Sequence, residues 1–174
     1  MNVLSLVTNE YANFYVGQVN SVERNGINIK TVSPPPQLSD RKERAEVSRS
    51  IGDYCNFYKK VLKEQTHNFD LVHANNGLTA PLAILQPHRP VVLTLWGSDL
   101  AGKYGQMTKY CAQFCDEVIV MSEDMKLELD RDAHVIPHGI DLNQFKPIPQ
   151  TEAQKNVGWD PETAHVLFPY NPNR

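Results

Sequence analysis

Long hydrophobic runs are missing from this chain of 174 residues. No apolar stretch approaches the roughly 18 residues that a membrane-spanning helix needs. An excess of basic charge is also missing, because 17 lysines and arginines face 20 acidic residues and leave a net charge of −3. A domain that binds nucleic acid would need a clear basic excess. These two absences argue against a membrane-spanning protein and against a nucleic-acid partner.

Cysteine is scarce, with three residues and no short disulfide framework. The N-terminal residues 1–6 have no positively charged region and no small-residue cleavage site, so we expect no signal peptide. Both features predict a location in the reducing cytoplasm. Cys111 and Cys115 lie one helical turn apart, and we interpret them as buried apolar side chains rather than as a metal site.

Glycine-rich phosphate-binding motifs are missing as well. The loop after the first predicted strand, residues 9–13, contains no glycine, so it lacks the fingerprint of nicotinamide and flavin dehydrogenases. No glycine-rich loop ends in Lys-Ser or Lys-Thr, which argues against a P-loop NTPase. A sugar-nucleotide epimerase would need the same fingerprint and a Tyr-x-x-x-Lys pair, and the sequence has neither.

Short apolar segments alternate with helical segments along the chain. We predict strands over residues 3–8, 27–32, 69–73, 90–95, 117–121 and 134–136. We predict helices over residues 14–25, 39–66, 81–85 and 105–114, with another that begins at Ser122. This alternation predicts an α/β fold, a Rossmann-like parallel sheet with helices on both faces.

Two of the predicted helices carry apolar side chains at helical spacing. The long one has a stripe that we expect to face the core, made of Tyr54, Phe57, Tyr58 and Val61. The first one carries Phe14, Val16, Val19 and Val22, and it ends at Gly26.

The sequence changes character after Phe145, where a polar stretch with prolines begins. We predict a Rossmann-like domain over residues 1–146, an interdomain linker over residues 147–163, and the first strand of a second, truncated domain over residues 164–174.

Polar and aromatic residues follow the predicted strands, where open parallel sheets bind ligands. The candidate binding residues are Asn9, Glu10, Tyr11, His73, Asn75, Asn76, Trp96, Ser98, Asp99, Ser122 and His138. An aromatic face beside a hydroxyl and a carboxylate suits sugars, whose C–H faces stack and whose hydroxyls donate. The alternative for each loop is an ordinary capped turn, with Trp96 in the core and Ser98 or Asp99 capping a helix.

Four segments, taken in order, carry a resemblance to a known family. They are Phe-Asp-Leu-Val-His-Ala at 69–74, Thr-Leu-Trp-Gly-Ser-Asp at 94–99, Cys-Asp-Glu-Val-Ile-Val-Met-Ser at 115–122, and Ile-Pro-His-Gly-Ile-Asp-Leu-Asn-Gln-Phe at 136–145. In this order and spacing they resemble the retaining family 4 glycosyltransferases of the GT-B fold. Residues 165–174 resemble the first strand and phosphate loop of the family's donor-binding half.

The resemblance implies an N-terminal, acceptor-binding domain of a retaining, hexosyl-type glycosyltransferase. Such an enzyme moves a sugar from a nucleotide-sugar to an acceptor glycan, lipid or small polyol, without a metal or other cofactor. The nucleotide-sugar would bind a C-terminal domain missing here, so we expect this chain alone to be inactive. Asp99 and Trp96 are the candidate catalytic residues, and Arg174 is a candidate contact to the donor phosphate. The family often has histidine where Trp96 stands.

Two further expectations complete this interpretation. The charged segment from Arg41 to Arg44, with Arg49, is either a solvated helix start or a peripheral contact to the inner membrane face. The rival function is a non-catalytic module that binds a carbohydrate or a partner protein through the same loops. We expect Trp96→Ala and Asp99→Asn to impair the full-length enzyme with little loss of fold.

Overall fold

A computed structural model of the chain describes residues 1–35, 49–64 and 67–166. Within these residues one sheet has six strands: β1 Asn2–Leu6, β2 Asn28–Val32, β3 Leu71–Ala74, β4 Val91–Thr94, β5 Glu117–Val120 and β6 His134–Val135. The strand order is β2-β1-β3-β4-β5-β6, and every neighbouring pair is parallel. The predicted Rossmann-like parallel sheet is therefore confirmed.

All but the last of the helices in the described residues lie between these strands in the sequence, and α7 follows β6. They are α1 Asn13–Glu23, α2 Ile51–Glu64, α3 Ala80–Leu85, α4 Ser98–Ala101, α5 Gly105–Ala112, α6 Glu123–Leu129 and α7 Gln150–Val157. Of the helices in the described part of the chain, none is both long enough and apolar enough to cross a membrane.

The main core lies on one face of the sheet. Alternate residues of the strands, including Leu4, Leu6 and Leu93, pack there against α2, α3 and α5. The predicted stripe of α2 is confirmed, because two members are fully buried and the other two pack against the same core: Phe57, Val61, Tyr54 and Tyr58. Cys111 and Cys115 are buried in this core as predicted, and burial raises the pKa of the Cys115 thiol to about 11.

The helix predicted over residues 39–66 has a different beginning. Among the described residues it begins at Ile51, because Ser50 and Asp53 form a reciprocal cap. The Ser50 amide donates to Asp53 Oδ2 at 2.8 Å, and the Asp53 amide donates to Ser50 Oγ at 3.3 Å. The predicted cap at Ser39 and the charged segment 41–44 lie outside the described residues.

Helix α1 lies on the opposite face of the sheet, and its buried residue is not one of the four apolar residues noted in the sequence. Tyr15 is buried, whereas Phe14 and Val16 are 44% and 41% exposed. Tyr15 is buried because its hydroxyl has two hydrogen-bond partners on the sheet. It donates to Ser5 Oγ at 2.9 Å and also hydrogen-bonds Thr31 Oγ1 at 2.8 Å. These bonds fix the rotation of α1, and Phe14 is left at the surface.

The chain divides into two units, Met1–His138 and Gly139–Arg174. In the described part of the second unit, α7 occupies residues that we predicted as linker. Trp159 stacks on His165 there, with ring centroids 4.5 Å apart. The strand predicted over residues 164–174 falls mostly on residues 167–174, which lie outside the described residues. The predicted domain boundaries stay a prediction.

Candidate functional site at the carboxyl edge of the sheet

The strand order changes direction at β1, which lies between β2 and β3. In open α/β sheets such a switch opens a crevice beyond the carboxyl ends of the strands, and ligands bind in it. Hydrogen bonds join the loops at this edge. Asn76 Nδ2 donates to Thr8 Oγ1 at 2.6 Å, and the Gly77 amide donates to Asp99 Oδ1 at 3.1 Å. The loops that follow β1, β3 and β4 therefore form one connected surface.

Trp96 is held in a fixed orientation on this surface. Its indole N–H donates to the carbonyl oxygen of Asn75 at 2.9 Å and lies 3.2 Å from Oδ1 of the same residue. Asn75 is buried, and its Nδ2 donates to Gln18 Oε1 on α1 at 2.8 Å. Because the indole N–H is used internally, Trp96 offers a ligand its ring face rather than a hydrogen-bond donor.

Both carboxylate oxygens of Asp99 accept hydrogen bonds from backbone amides. Oδ1 accepts the Gly77 amide at 3.1 Å, and Oδ2 accepts the Trp96 amide at 2.8 Å. Desolvation by burial raises the pKa of this carboxyl, and the two amide bonds oppose the rise. This geometry fits a positioning residue. It also changes our expectation that Asp99→Asn leaves the fold nearly intact, since an asparagine supplies only one acceptor for two amides.

The other predicted residues after β1 have local partners. Asn9 Oδ1 accepts the Tyr11 amide at 3.1 Å, which closes a turn. Glu10 Oε1 accepts the Ser33 hydroxyl at 3.0 Å and so ties this loop to the end of β2. Tyr11 is exposed. Their substrate-binding roles stay predictions.

Two more predicted residues lie at helix starts. Ser98 opens α4 and is exposed, directly after Gly97, whose φ of 91° belongs to the region that favours glycine. Ser122 Oγ accepts the Met125 amide at 3.4 Å and caps α6, as the sequence predicted. Arg174 lies outside the described residues.

His73 lies within β3 and faces a cavity rather than the edge. Its Nε2 hydrogen-bonds Thr94 Oγ1 at 2.8 Å. The cavity between α1 and the sheet has a volume of ≈ 160 Å³, and Val3, Leu71 and His73 are among its lining residues. Desolvation in this apolar setting lowers the pKa of His73 from 6.5 to about 4.

The low pKa of His73 predicts acid sensitivity. Between pH 6.5 and about 4 the unfolded chain binds a proton that the folded chain does not, so stability falls as the pH falls through this window. We expect the melting temperature to decrease more steeply with acid in the wild type than in His73→Gln, which removes the titrating group. Equal slopes in thermal melts at pH 7, 6, 5 and 4 would contradict this account of His73.

Gly77 lies where no side chain fits. A Cβ placed there would overlap Thr108 Oγ1 and lie 2.8 Å from Thr108 Cγ2. Thr108 is itself buried. We expect Gly77→Ala to lower the free energy of unfolding by about 1–3 kcal/mol through overpacking. The double variant Gly77→Ala/Thr108→Ala should recover part of that loss in a denaturant titration, and additive losses in the double variant would show that the overlap is not the cause.

Sequence reasoning missed an aromatic contribution from α1. The Phe14 ring centroid lies 4.8 Å from that of Trp96, and the His138 ring centroid lies 5.2 Å from it. Gln18, one turn after Phe14, accepts a hydrogen bond from Asn75, the residue that accepts the indole N–H. The available signal was the position of Phe14 in the first turn after the β1 loop. In the described part of the chain, no group of three or more His, Cys, Asp and Glu side chains is arranged to hold a metal.

Comparisons with known proteins agree with this architecture. The sequence model of Glycosyltransferase Family 4 matches residues 19–144. A solved structure of sucrose-phosphate synthase from Thermosynechococcus elongatus is similar, with a TM-score of 0.53 and 14% identity, over 91% of this chain and 97% of that chain. At this identity the likeness shows the fold alone. No curated protein sequence matches the chain at a significant level.

The family match extends over well more than half of the 174 residues. It begins at Val19 within α1, so it leaves out β1 and Phe14, and it includes the strand ends that carry Asn75 and Trp96 and most of the segment after β6. The parallel sheet has the fold of a GT-B glycosyltransferase domain. The chain belongs to glycosyltransferase family 4.

Proposed function

We propose that this chain forms the acceptor-binding side of a retaining, hexosyl-type glycosyltransferase that uses a nucleotide-sugar. The observation that carries the proposal is the carboxyl-edge surface, where Asn75 accepts the indole N–H of Trp96 and Asp99 accepts the backbone amide of the same residue. Fixed aromatic faces suit sugars because ring C–H bonds carry partial positive charge and aromatic faces are negative.

The division of labour is also part of the proposal. We place the acceptor, a glycan, lipid or small polyol, on the loops that follow β1, β3 and β4. The nucleotide-sugar belongs to a C-terminal domain that faces this one, and the chain alone is inactive in transfer. No metal or other cofactor takes part, since the resemblance is to enzymes that stabilise the leaving phosphate with protein groups. Arg174 is a proposed member of that phosphate site.

The proposed location is the cytoplasm, and it rests on cysteine use. All three cysteines are free thiols, Cys55 at the surface and Cys111 and Cys115 in the core. Free thiols persist in reducing compartments. The peripheral membrane contact through residues 41–49 remains a proposal from sequence.

The test is turnover by a protein extended through the proposed donor-binding domain. The extended protein is incubated with UDP-glucose, GDP-mannose or ADP-glucose, with and without maltose, and release of nucleoside diphosphate is followed. We expect one of these donors to release nucleoside diphosphate at a rate that EDTA does not change. The sugar in the product should keep the anomeric configuration that it had in the donor. Binding of saccharide without any release would favour the non-catalytic carbohydrate-binding module instead.

A further inference from the structure

Three aromatic rings from distant parts of the sequence form one surface in the first unit. Phe14 and Trp96 have ring centroids 4.8 Å apart, Trp96 and His138 5.2 Å, and Phe14 and His138 6.4 Å. Phe14 is 44% exposed, His138 is exposed and Trp96 is half-buried. We call these three residues the aromatic surface. It presents apolar ring area to solvent at the edge where ligands of such sheets bind.

The central ring of the aromatic surface is preorganised. The Trp96 side chain is bonded to Asn75, and the Trp96 backbone is bonded to Asp99. A side chain that such bonds already hold in place loses little further freedom when a ligand stacks on its ring, which favours affinity.

Helix α1 contributes to the aromatic surface twice. Phe14 and Gln18 are four residues apart and lie on one side of the helix. Phe14 packs on Trp96, and Gln18 accepts a hydrogen bond from Asn75, the partner of the indole N–H. The bonds of Tyr15 to Ser5 and Thr31 fix the rotation of α1, so they also fix the place of Phe14.

The chemistry of the surface selects among the proposed acceptors. A small acyclic polyol has no ring face that could stack on the aromatic surface. A lipid chain would need an apolar groove, whereas the polar residues Glu10 and Ser98 follow β1 and β4 at this edge of the sheet. A pyranose ring has both a C–H face for the rings and hydroxyls for such polar groups. Resting on the proposed function, we propose that the acceptor is a saccharide whose pyranose ring stacks on Phe14, Trp96 and His138, and that Phe14 determines this specificity.

The chain permits a direct optical test, because it contains two tryptophans, Trp96 and Trp159. In the Trp159→Phe variant, tryptophan emission reports Trp96 alone. The probes are methyl β-D-glucopyranoside, methyl α-D-mannopyranoside and maltose, with glycerol and phosphatidylcholine vesicles as comparisons. We expect a saturable change in emission with at least one saccharide and none with glycerol or vesicles. Absence of any saturable change with the three saccharides, or a change only with vesicles, would overturn the proposal.

Variants of α1 test the role of Phe14. In the same background, Phe14→Ala should weaken the binding of that saccharide about tenfold, the effect of one stacked aromatic ring. Phe14→Leu keeps apolar volume without a ring and should weaken binding nearly as much. Val16→Ala, also exposed on α1, is the matched control and should leave binding unchanged. Wild-type affinity in Phe14→Ala, or in Phe14→Leu, would show that the ring of Phe14 does not select the acceptor.

The two proposals fail in distinguishable ways. Saccharide binding that depends on Phe14, in a protein whose extended form transfers no sugar, would remove the proposed enzyme and leave the saccharide site. Transfer to an acceptor whose KM is unchanged by Phe14→Ala would keep the enzyme and remove the inferred stacking site.

Discussion

Trp96→Ala should reduce kcat/KM of the extended transferase for its acceptor about 30-fold. The variant removes the central ring of the aromatic surface, and a loss of about 2 kcal/mol is ordinary for a stacked aromatic side chain. The free energy of unfolding should fall by less than this loss in activity, because the Trp96 ring is half-buried and lies outside the main core. Steady-state kinetics at saturating donor, with circular dichroism of the folded protein, measure both effects.

Two variants keep this prediction specific. Trp159→Phe changes the other tryptophan, which lies in the second unit, and should retain wild-type kinetics. Trp96→Phe keeps a ring but leaves the Asn75 oxygens without the indole donor, so its activity should fall between wild type and Trp96→Ala. Equal activity in Trp96→Ala and the wild type would remove Trp96 from the site.

Asp99→Ala should lower the free energy of unfolding by about 3 kcal/mol. The substitution leaves the amides of Gly77 and Trp96 without their acceptor, and each unsatisfied amide costs about 1–3 kcal/mol. Removing a half-buried carboxylate, whose pKa is raised by desolvation, offsets part of that cost. For a chain of this size we expect the melting temperature to fall by about 10 °C.

Asp99→Asn and Asp124→Ala calibrate this effect. Asparagine keeps one acceptor, so its loss should be about half that of alanine. Asp124 is an exposed carboxylate in the first turn of α6, where removal costs under about 1 kcal/mol. If Asp99→Ala were no more destabilising than Asp124→Ala in urea titrations, Asp99 would not be the residue that joins the two loops.

The strands and most helix positions followed from local patterns. Segment 90–95 reads as a buried strand from its run of apolar residues, and β4 lies there. Helix α1 ends at Glu23, and Gly26 follows it in a turn with a φ of 79°; Ser122 caps α6. These signals work because each depends on side chains close together in the chain.

Features that depend on distant residues could not be predicted in this way. The rotation of α1 is set by Tyr15, whose hydroxyl finds Ser5 on β1 and Thr31 on β2. Apolar periodicity carries no information about such hydrogen bonds, so it did not indicate that Tyr15 is buried while Phe14 and Val16 are exposed.

The candidate site shows the same division. Strand ends located Asn75, Trp96 and Asp99 from the sequence, because open parallel sheets bind ligands there. Asp99 accepts hydrogen bonds from two backbone amides, and Phe14 contacts Trp96. Both features appear only once the loops are brought together.

Calorimetric titration of this 174-residue chain with maltose and methyl β-D-glucopyranoside, and separately with UDP-glucose and GDP-mannose, tests the central claim most directly. An acceptor-binding domain should bind a saccharide, lose that binding in Trp96→Ala, and give no heat with either nucleotide-sugar. Saturable binding of a nucleotide-sugar to this chain, with no binding of saccharide, would contradict the assignment of the acceptor to the loops after β1, β3 and β4.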